Sequence, residues 1–261
     1  MKHPHFFTRW FAVALCLLLV TMGGYAQESK ANYVPTPGQP GKDVVWVPTP
    51  QELVETMLDM AKITPDDFVI DLGSGDGRIV ISAAKRGATA LGIEYNPDLV
   101  EFARRAAVEE GVSARATFEE ADIFESDFSQ ATVVTMYLLP HINLRLRPKI
   151  LDLKPGTRIV SNSFNMADWK PDKTTARAHL WIVPAKVDGV WKLDDGQVSF
   201  TQKFQHIDGT LTAMGKDMEL SGKLDGDKIS FTAGSRKYTG TVSGNTISGT
   251  HDGGGSWKAT R

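Results

Sequence analysis

The chain has 261 residues, of which 41% are hydrophobic, enough for one large hydrophobic core and a second, smaller one. Its formal net charge is -2, and its only cysteine is Cys16. The charge excludes a function based on bulk attraction to nucleic acid or to an acidic membrane surface, and the single cysteine excludes an intramolecular disulfide.

The first 26 residues have the composition of a secretory signal peptide. Lys2 and Arg9 are followed by an apolar run over residues 10–20 and by small residues up to Ala26. This run is short for a membrane-spanning helix, so we expect cleavage after Ala26; an uncleaved N-terminal anchor, with membrane association through this segment, is the alternative. Because positive charges stay in the cytoplasm, both interpretations predict a periplasmic or otherwise extracytoplasmic protein.

A linker and a helix are predicted next. Residues 27–45 are polar and rich in proline and glycine, which is typical of a linker. Apolar residues at helical spacing then predict a helix from about Gln51 to Lys62. Thr49 is expected to cap this helix, with Pro50 at its first position, and the alternative role for Thr49 is a contact with a cofactor.

Strands and helices alternate over residues 46–186, which we predict to be one domain. Strands are expected at residues 68–72, 90–94, 116–119, 132–138 and 158–161, and helices at residues 78–86 and 97–110. Alternating elements of this kind imply right-handed crossovers and a mostly parallel sheet covered on both faces. The predicted fold class is α/β, with a doubly wound, Rossmann-like sheet.

Residues 187–261 are predicted to form a second, all-β domain. They contain 13 of the 24 glycines and short alternating runs separated by turn pairs such as Asp225-Gly226. Leu220–Thr232 aligns with Tyr238–Thr250, which indicates repeated hairpins. We expect a small barrel or sandwich.

A glycine-rich turn follows the first predicted strand and opens a helix. The sequence reads Asp71, Leu72, Gly73, Ser74 and Gly75, then Asp76 and Gly77. Glycines at such a turn let a ligand approach the backbone closely. The carboxylate of Asp71 would repel a pyrophosphate but favour an ammonium group. The turn therefore indicates S-adenosylmethionine, which carries an amino-acid tail and no phosphate, as the cofactor.

Acidic residues also follow the next two predicted strands. Glu94, which precedes Tyr95, can accept hydrogen bonds from both ribose hydroxyls. Asp122, which precedes Ile123, can reach the adenine amino group. We include all four residues in the predicted cofactor site.

At these motifs the chain resembles the class I, seven-stranded methyltransferases that use S-adenosylmethionine, over roughly residues 46–183. Four segments, at residues 47–50, 71–80, 92–97 and 168–172, are similar to the mitochondrial lysine methyltransferases acting on the c-ring protein of ATP synthase and on the adenine nucleotide carrier. The resemblance implies a lysine acceptor on a protein and a cofactor covered by Val47–Pro50. The export signal and the C-terminal β-domain depart from that family, and the sequence indicates no partner for the β-domain.

Tyr137, at the end of the fourth predicted strand, is the candidate catalytic residue. Its hydroxyl can orient an acceptor amine, and core packing is the alternative. The strand lacks the Asn/Asp-Pro-Pro-Tyr motif of adenine methyltransferases, so no nucleic-acid partner is expected. No residue spacing indicates a metal site. Two other functions stay open: an exported S-adenosylmethionine- or nucleoside-binding module without transfer activity, and a methyltransferase for small molecules.

Overall fold

The structure is a computed structural model that describes residues 33–175 and 177–261. The predicted signal peptide and the first part of the predicted linker lie outside the described residues. Within them, no helix has both the length and the apolar character needed to cross a membrane.

The first domain contains a seven-stranded sheet with helices on both faces. Its elements in chain order are α1 (Gln51–Met60), β1 (Phe68–Leu72), α2 (Arg78–Lys85), β2 (Thr89–Glu94), α3 (Pro97–Glu109), β3 (Ala116–Glu120), β4 (Val133–Met136), α4 (Pro140–Leu151), β5 (Arg158–Asn162), β6 (Lys173–Thr175) and β7 (Ala178–Ile182). The strand order is β3-β2-β1-β4-β5-β7-β6. Strands β1 to β5 pair in parallel, whereas β7 is antiparallel to both its neighbours. This arrangement confirms the predicted fold class.

Each face of the sheet has its own hydrophobic cluster, because alternate strand residues point in opposite directions. Val69 of β1 belongs to the cluster that α1, α2 and α3 cover. Ile70 of the same strand belongs to the cluster that contains Leu146 of α4 and the fully buried Trp169. The burial of β1 from Val69 to Leu72 follows from this two-sided cover.

The predicted helix cap at Thr49 is wrong. Pro50 occupies the N-cap position of α1, and no side chain caps the helix. Thr49 is buried instead, and its Oγ1 accepts a hydrogen bond from Nδ2 of Asn162, at the end of β5, at 3.2 Å. A tertiary partner therefore replaces the local backbone partner that the capping rule assumes.

Helix α4 has no counterpart among the predicted helices. Its first turn begins at Pro140, and it continues through Pro148. Proline inside a helix removes a hydrogen bond, so the local sequence argues against a helix here. Burial of Ile142, Leu146 and Ile150 on one side stabilises it through packing on the sheet.

The second domain is a closed antiparallel barrel of eight strands. These are β8 (Gly189–Leu193), β9 (Gly196–Lys203), β10 (His206–Ala213), β11 (Lys216–Asp225), β12 (Lys228–Ala233), β13 (Arg236–Ser243), β14 (Thr246–His251) and β15 (Ser256–Thr260). Each strand pairs with the next, and β15 pairs with β8. Aromatic side chains fill the interior, where the rings of Phe231 and Tyr238 stack at 4.9 Å. Of the two predicted β architectures, the barrel is the one the chain adopts.

Candidate active site

The predicted site residues meet at one edge of the parallel sheet. Asp71 lies in β1, Glu94 ends β2, Asp122 follows β3, and Tyr137 follows β4 directly. Parallel strands bring their carboxyl ends to the same edge, and the strand order reverses there between β1 and β4. A pocket opens at this switch point. The predicted residues that line it are Thr49, Asp71, Gly73, Ser74, Gly75, Glu94, Tyr95, Asp122, Ile123 and Tyr137.

Two predicted residues support the pocket without lining it. Leu72 is fully buried in the core. Gly77 adopts φ +82°, and a Cβ there would lie 2.7 Å from the ring of Phe118 and 2.8 Å from Cβ of Ala103. The third glycine of the turn is therefore required for packing between the turn, α3 and β3.

Asp71 is a buried carboxyl at the base of the pocket. It is 3% exposed, and its Oδ1 accepts a hydrogen bond from Oγ1 of Thr135 at 2.6 Å. Burial raises the pKa of Asp71 to about 7, the Thr135 hydrogen bond opposes the shift, and the charges of Glu94 and Asp76 add to it. A cationic ligand group would offset this burial cost, so the site fits the ammonium group of S-adenosylmethionine.

Glu94 joins the glycine turn to the start of α3. Its Oε2 accepts a hydrogen bond from the backbone N–H of Gly75 at 3.0 Å, and its Oε1 accepts one from the N–H of Asn96 at 2.9 Å. A carboxylate has about four lone-pair positions, so Glu94 can accept further hydrogen bonds from ligand hydroxyls. It therefore both shapes the turn and presents acceptors to the pocket.

A folded segment that precedes α1 covers the pocket; we call residues 38–48 the strap. The N–H of Gly38 donates to the carbonyl of Trp46 at 2.8 Å, and the N–H of Trp46 donates to the carbonyl of Gln39 at 2.9 Å. The indole lies directly over Gly75, where a Cβ would be 2.3 Å from its Nε1. Residues 41–48 of the strap line the pocket, although residues up to 45 are in the predicted linker.

Lys42 of the strap contacts the adenine end of the predicted site. Its Nζ forms an ion pair with Asp122 and lies 4.6 Å from the centroid of the Tyr95 ring. The hydrogen bond from Lys42 lowers the pKa of Asp122. Asp122 is thus an ionised hydrogen-bond acceptor. The adenine amino group and Lys42 would both donate to its carboxylate.

Tyr137 lines the pocket at the end away from Asp122, and Phe164 stacks on its ring; we call this pair the aromatic wall. Their rings stack with centroids 6.0 Å apart and an interplanar angle of 21°. The sequence motifs did not identify Phe164, which lies 27 residues further along the chain and outside all of them. Outside the strap, the residues that line the pocket but were not predicted as site residues are Asp76, Arg78, Ile79, Leu99, Ala121, Leu138 and Ile142. Among the residues that the structure describes, no group of three or more His, Cys, Asp or Glu residues is placed to hold a metal ion.

Comparisons with known proteins find methyltransferases. The sequence model of the ANTKMT methyltransferase domain matches residues 71–173. A protein-lysine N-methyltransferase of Saccharolobus islandicus is 47% identical over 131 residues, which cover 49% of this chain and 81% of that protein. The adenine nucleotide translocase lysine N-methyltransferase of Mus musculus is 33% identical over 153 residues, covering 58% of this chain and 63% of that protein.

One solved structure is similar in both sequence and fold. It is the crystal structure of an RNA methyltransferase from Salinibacter ruber in complex with S-adenosyl-L-homocysteine, with 47% identity and a TM-score of 0.53. The match covers 54% of this chain and 96% of that chain. The similarity to these proteins therefore covers between 49% and 58% of this chain.

Proposed function

Because this chain belongs to the S-adenosylmethionine-dependent methyltransferase family of the Saccharolobus protein-lysine N-methyltransferase, we propose that it methylates lysine side chains of a protein. The chain is a methyltransferase, and its cofactor is S-adenosylmethionine, which supplies a methyl group activated by a sulfonium. The observation that carries the proposal is the aromatic wall of Tyr137 and Phe164 at the end of the pocket away from Asp122.

This wall suits a lysine acceptor because the reacting amine must be uncharged. A free lysine amine has a pKa near 10.4, and burial beside aromatic rings disfavours its charged form. The chain places Tyr137, Leu138 and Ile142 together at this end of the pocket. We propose that the ring of Tyr137 desolvates the amine and that its hydroxyl orients it, while the proton passes to water.

The mouth of the pocket favours a protein over RNA as the acceptor. Its exposed side chains include Val45 and Val47 of the strap, which line the pocket and are 57% and 47% exposed. Apolar side chains offer nothing to the phosphate backbone that dominates affinity for nucleic acid. The similarity to a structure described as an RNA methyltransferase makes RNA the second candidate acceptor.

Methyl transfer tests this proposal directly. With methyl-labelled S-adenosylmethionine and an envelope extract of the source cells, we expect acid-stable label in protein as methyl-lysine. Tyr137→Phe keeps the ring and removes one hydrogen bond, so we expect about a tenfold lower transfer rate at an unchanged affinity for S-adenosylhomocysteine. Label removed by ribonuclease would assign RNA as the acceptor. Binding of S-adenosylhomocysteine without transfer to any macromolecule would favour a binding module or a small-molecule enzyme.

We further propose that the protein acts outside the cytoplasm, on the basis of the charged, apolar and small-residue order of residues 1–26. N-terminal sequencing of the protein isolated from the envelope fraction is expected to begin at Gln27. A chain that begins at Met1 in that fraction would indicate the uncleaved anchor, and recovery only from the cytoplasmic fraction would contradict export.

A further inference from the structure

We propose that the turn between β9 and β10 of the barrel is a positioning element for the acceptor end of the active site. The turn consists of Phe204 and Gln205. It acts through the acceptor loop, which we define as residues 163–172 between β5 and β6. This inference rests on the proposed function, because it concerns the wall against which an acceptor amine would lie.

The acceptor loop carries one half of that wall. Phe164 lies near its start and stacks on Tyr137, which lines the pocket. Ser163 and Ala167 in the same loop adopt φ values of +63° and +56°. Left-handed conformations are unfavourable for residues with a side chain, so contacts from outside the loop must hold it in this shape.

Helix α4 supplies the first set of these contacts. Asn143 is fully buried, and its Nδ2 donates to the carbonyls of Phe164 and Asn165 at 3.3 and 3.4 Å. Arg147, one turn further along, donates to the carbonyl of Met166 at 2.9 Å. These bonds fix the backbone of the loop next to the aromatic wall.

The barrel turn supplies the second set, on the far part of the loop. The ring of Phe204 stacks on that of Trp169, with centroids 5.8 Å apart and an interplanar angle of 18°. Nε2 of Gln205, a residue 4% exposed, donates to the carbonyl of Lys170 at 2.9 Å. The guanidinium of Arg147 lies 5.3 Å from the Phe204 ring centroid, so the α4 contacts and the barrel contacts meet at this ring.

A continuous series of contacts thus joins the barrel to the pocket. It runs from Phe204 to Trp169 and Arg147, through the loop to Phe164, and then to Tyr137. Aromatic stacks and hydrogen bonds to carbonyls fix both the distance between the groups that they join and the orientation of those groups. An acceptor site requires both. Loss of the Phe204 ring should let the loop relax and move Phe164, with no direct effect on the residues predicted to hold the cofactor.

The test compares ligands that do and do not reach the acceptor end. We would measure by calorimetry, on the full chain, the affinities of S-adenosylhomocysteine and of an adenosyl analogue with an aminoalkyl chain of lysine length on its sulfur. In Phe204→Ala we expect the aminoalkyl analogue to lose about tenfold in affinity and S-adenosylhomocysteine to be unchanged. Phe204→Tyr, which keeps the ring, should restore the affinity for the analogue.

Met214→Ala is the matched control for the barrel. Met214 lies in the turn between β10 and β11, has a φ of +51° close to the +54° of Phe204, and is 87% exposed. Its variant should bind both ligands like the wild type. If Phe204→Ala retained the full affinity for the aminoalkyl analogue, or if both ligands weakened equally, the positioning role would be wrong.

Hydrogen exchange separates this inference from the proposed function. Phe204→Ala should accelerate amide exchange in residues 163–172, and Met214→Ala should not. If the wild type bound the aminoalkyl analogue no better than S-adenosylhomocysteine, the amine acceptor would be wrong, but faster exchange in the loop would still support its positioning by the barrel. Unchanged exchange in Phe204→Ala would overturn that link whatever the acceptor is.

Discussion

Glu94→Ala is expected to weaken binding of S-adenosylmethionine at least about a hundredfold. The change removes the acceptor of two backbone hydrogen bonds, from Gly75 and Asn96, and each bond to a charged group contributes about 1.5–3 kcal/mol. It also removes the acceptor proposed for the ribose hydroxyls. Calorimetry with S-adenosylmethionine and S-adenosylhomocysteine would measure the loss.

The variant Glu94→Gln tests the role of the second carboxylate oxygen of Glu94. Glutamine keeps the shape of the side chain but offers one oxygen, so its amide group must face one of the two N–H donors. We expect an affinity between those of the wild type and Glu94→Ala. Glu109→Ala, at the exposed end of α3, controls for a general effect of losing a carboxylate. Wild-type affinity in Glu94→Gln would contradict the role assigned to the second carboxylate oxygen.

Asp71 is expected to make cofactor binding strongly pH-dependent. Because its pKa is raised to about 7, the carboxyl of the unliganded protein is protonated below that pH. A cofactor ammonium favours the ionised form, so binding must release the proton. The dissociation constant should therefore rise by up to about tenfold per pH unit as the pH falls below 7. Titrations between pH 5 and pH 8 would measure it.

Asp71→Asn should remove most of this dependence and bind the cofactor weakly at every pH. A dissociation constant in the wild type that did not vary between pH 5 and pH 8 would contradict the role of Asp71. The role of Asp71 would also be contradicted if the dissociation constant of Asp71→Asn varied with pH as steeply as that of the wild type, because another group would then cause the pH dependence. Thr135→Val, which removes only the hydroxyl that donates to Asp71, provides a second comparison.

A rise in pH strengthens cofactor binding through Asp71, but through the same carboxyl it lowers the stability of the unliganded protein. Its reference pKa is 3.8, so between about pH 4 and pH 7 the folded state binds more protons than the unfolded state. The free energy of unfolding then falls as the pH rises through this window, and the penalty persists above it. Asp71→Asn should consequently have the higher thermal midpoint at pH 8, with a smaller difference at pH 5.

The cofactor end of the site was largely predictable from the sequence, for a geometric reason. Asp71, Glu94 and Asp122 each lie at or just past the end of a short apolar run, and parallel strands bring such positions together. The local sequence therefore indicates both the chemical groups of the predicted cofactor site and their position at one edge of the sheet. The same holds for the glycines at residues 73–77, whose spacing reflects the turn itself.

The acceptor end was not predictable, because its contacts join residues far apart in the chain. Phe164 meets Tyr137 through a loop with two strained residues, and Phe204 reaches that loop from another domain. The error at Thr49 has the same origin. Its partner, Asn162, is 113 positions away, whereas the capping rule considers only the next few residues. The all-β class of the second domain, in contrast, followed from its turn pairs and repeated hairpins, which left barrel and sandwich both open.

Closure of the barrel restricts how another molecule can bind it. Since β15 returns to pair with β8 through Thr260 and Lys192, every strand has a neighbour on both sides and the barrel has no free edge strand. A peptide therefore cannot join this domain by adding a strand, which is a common mode of recognition at sheet edges. Within the described residues, the open strand edges belong to β3 and β6 of the first domain. Recognition by the barrel must use side chains and turns, as its contact with Trp169 already does.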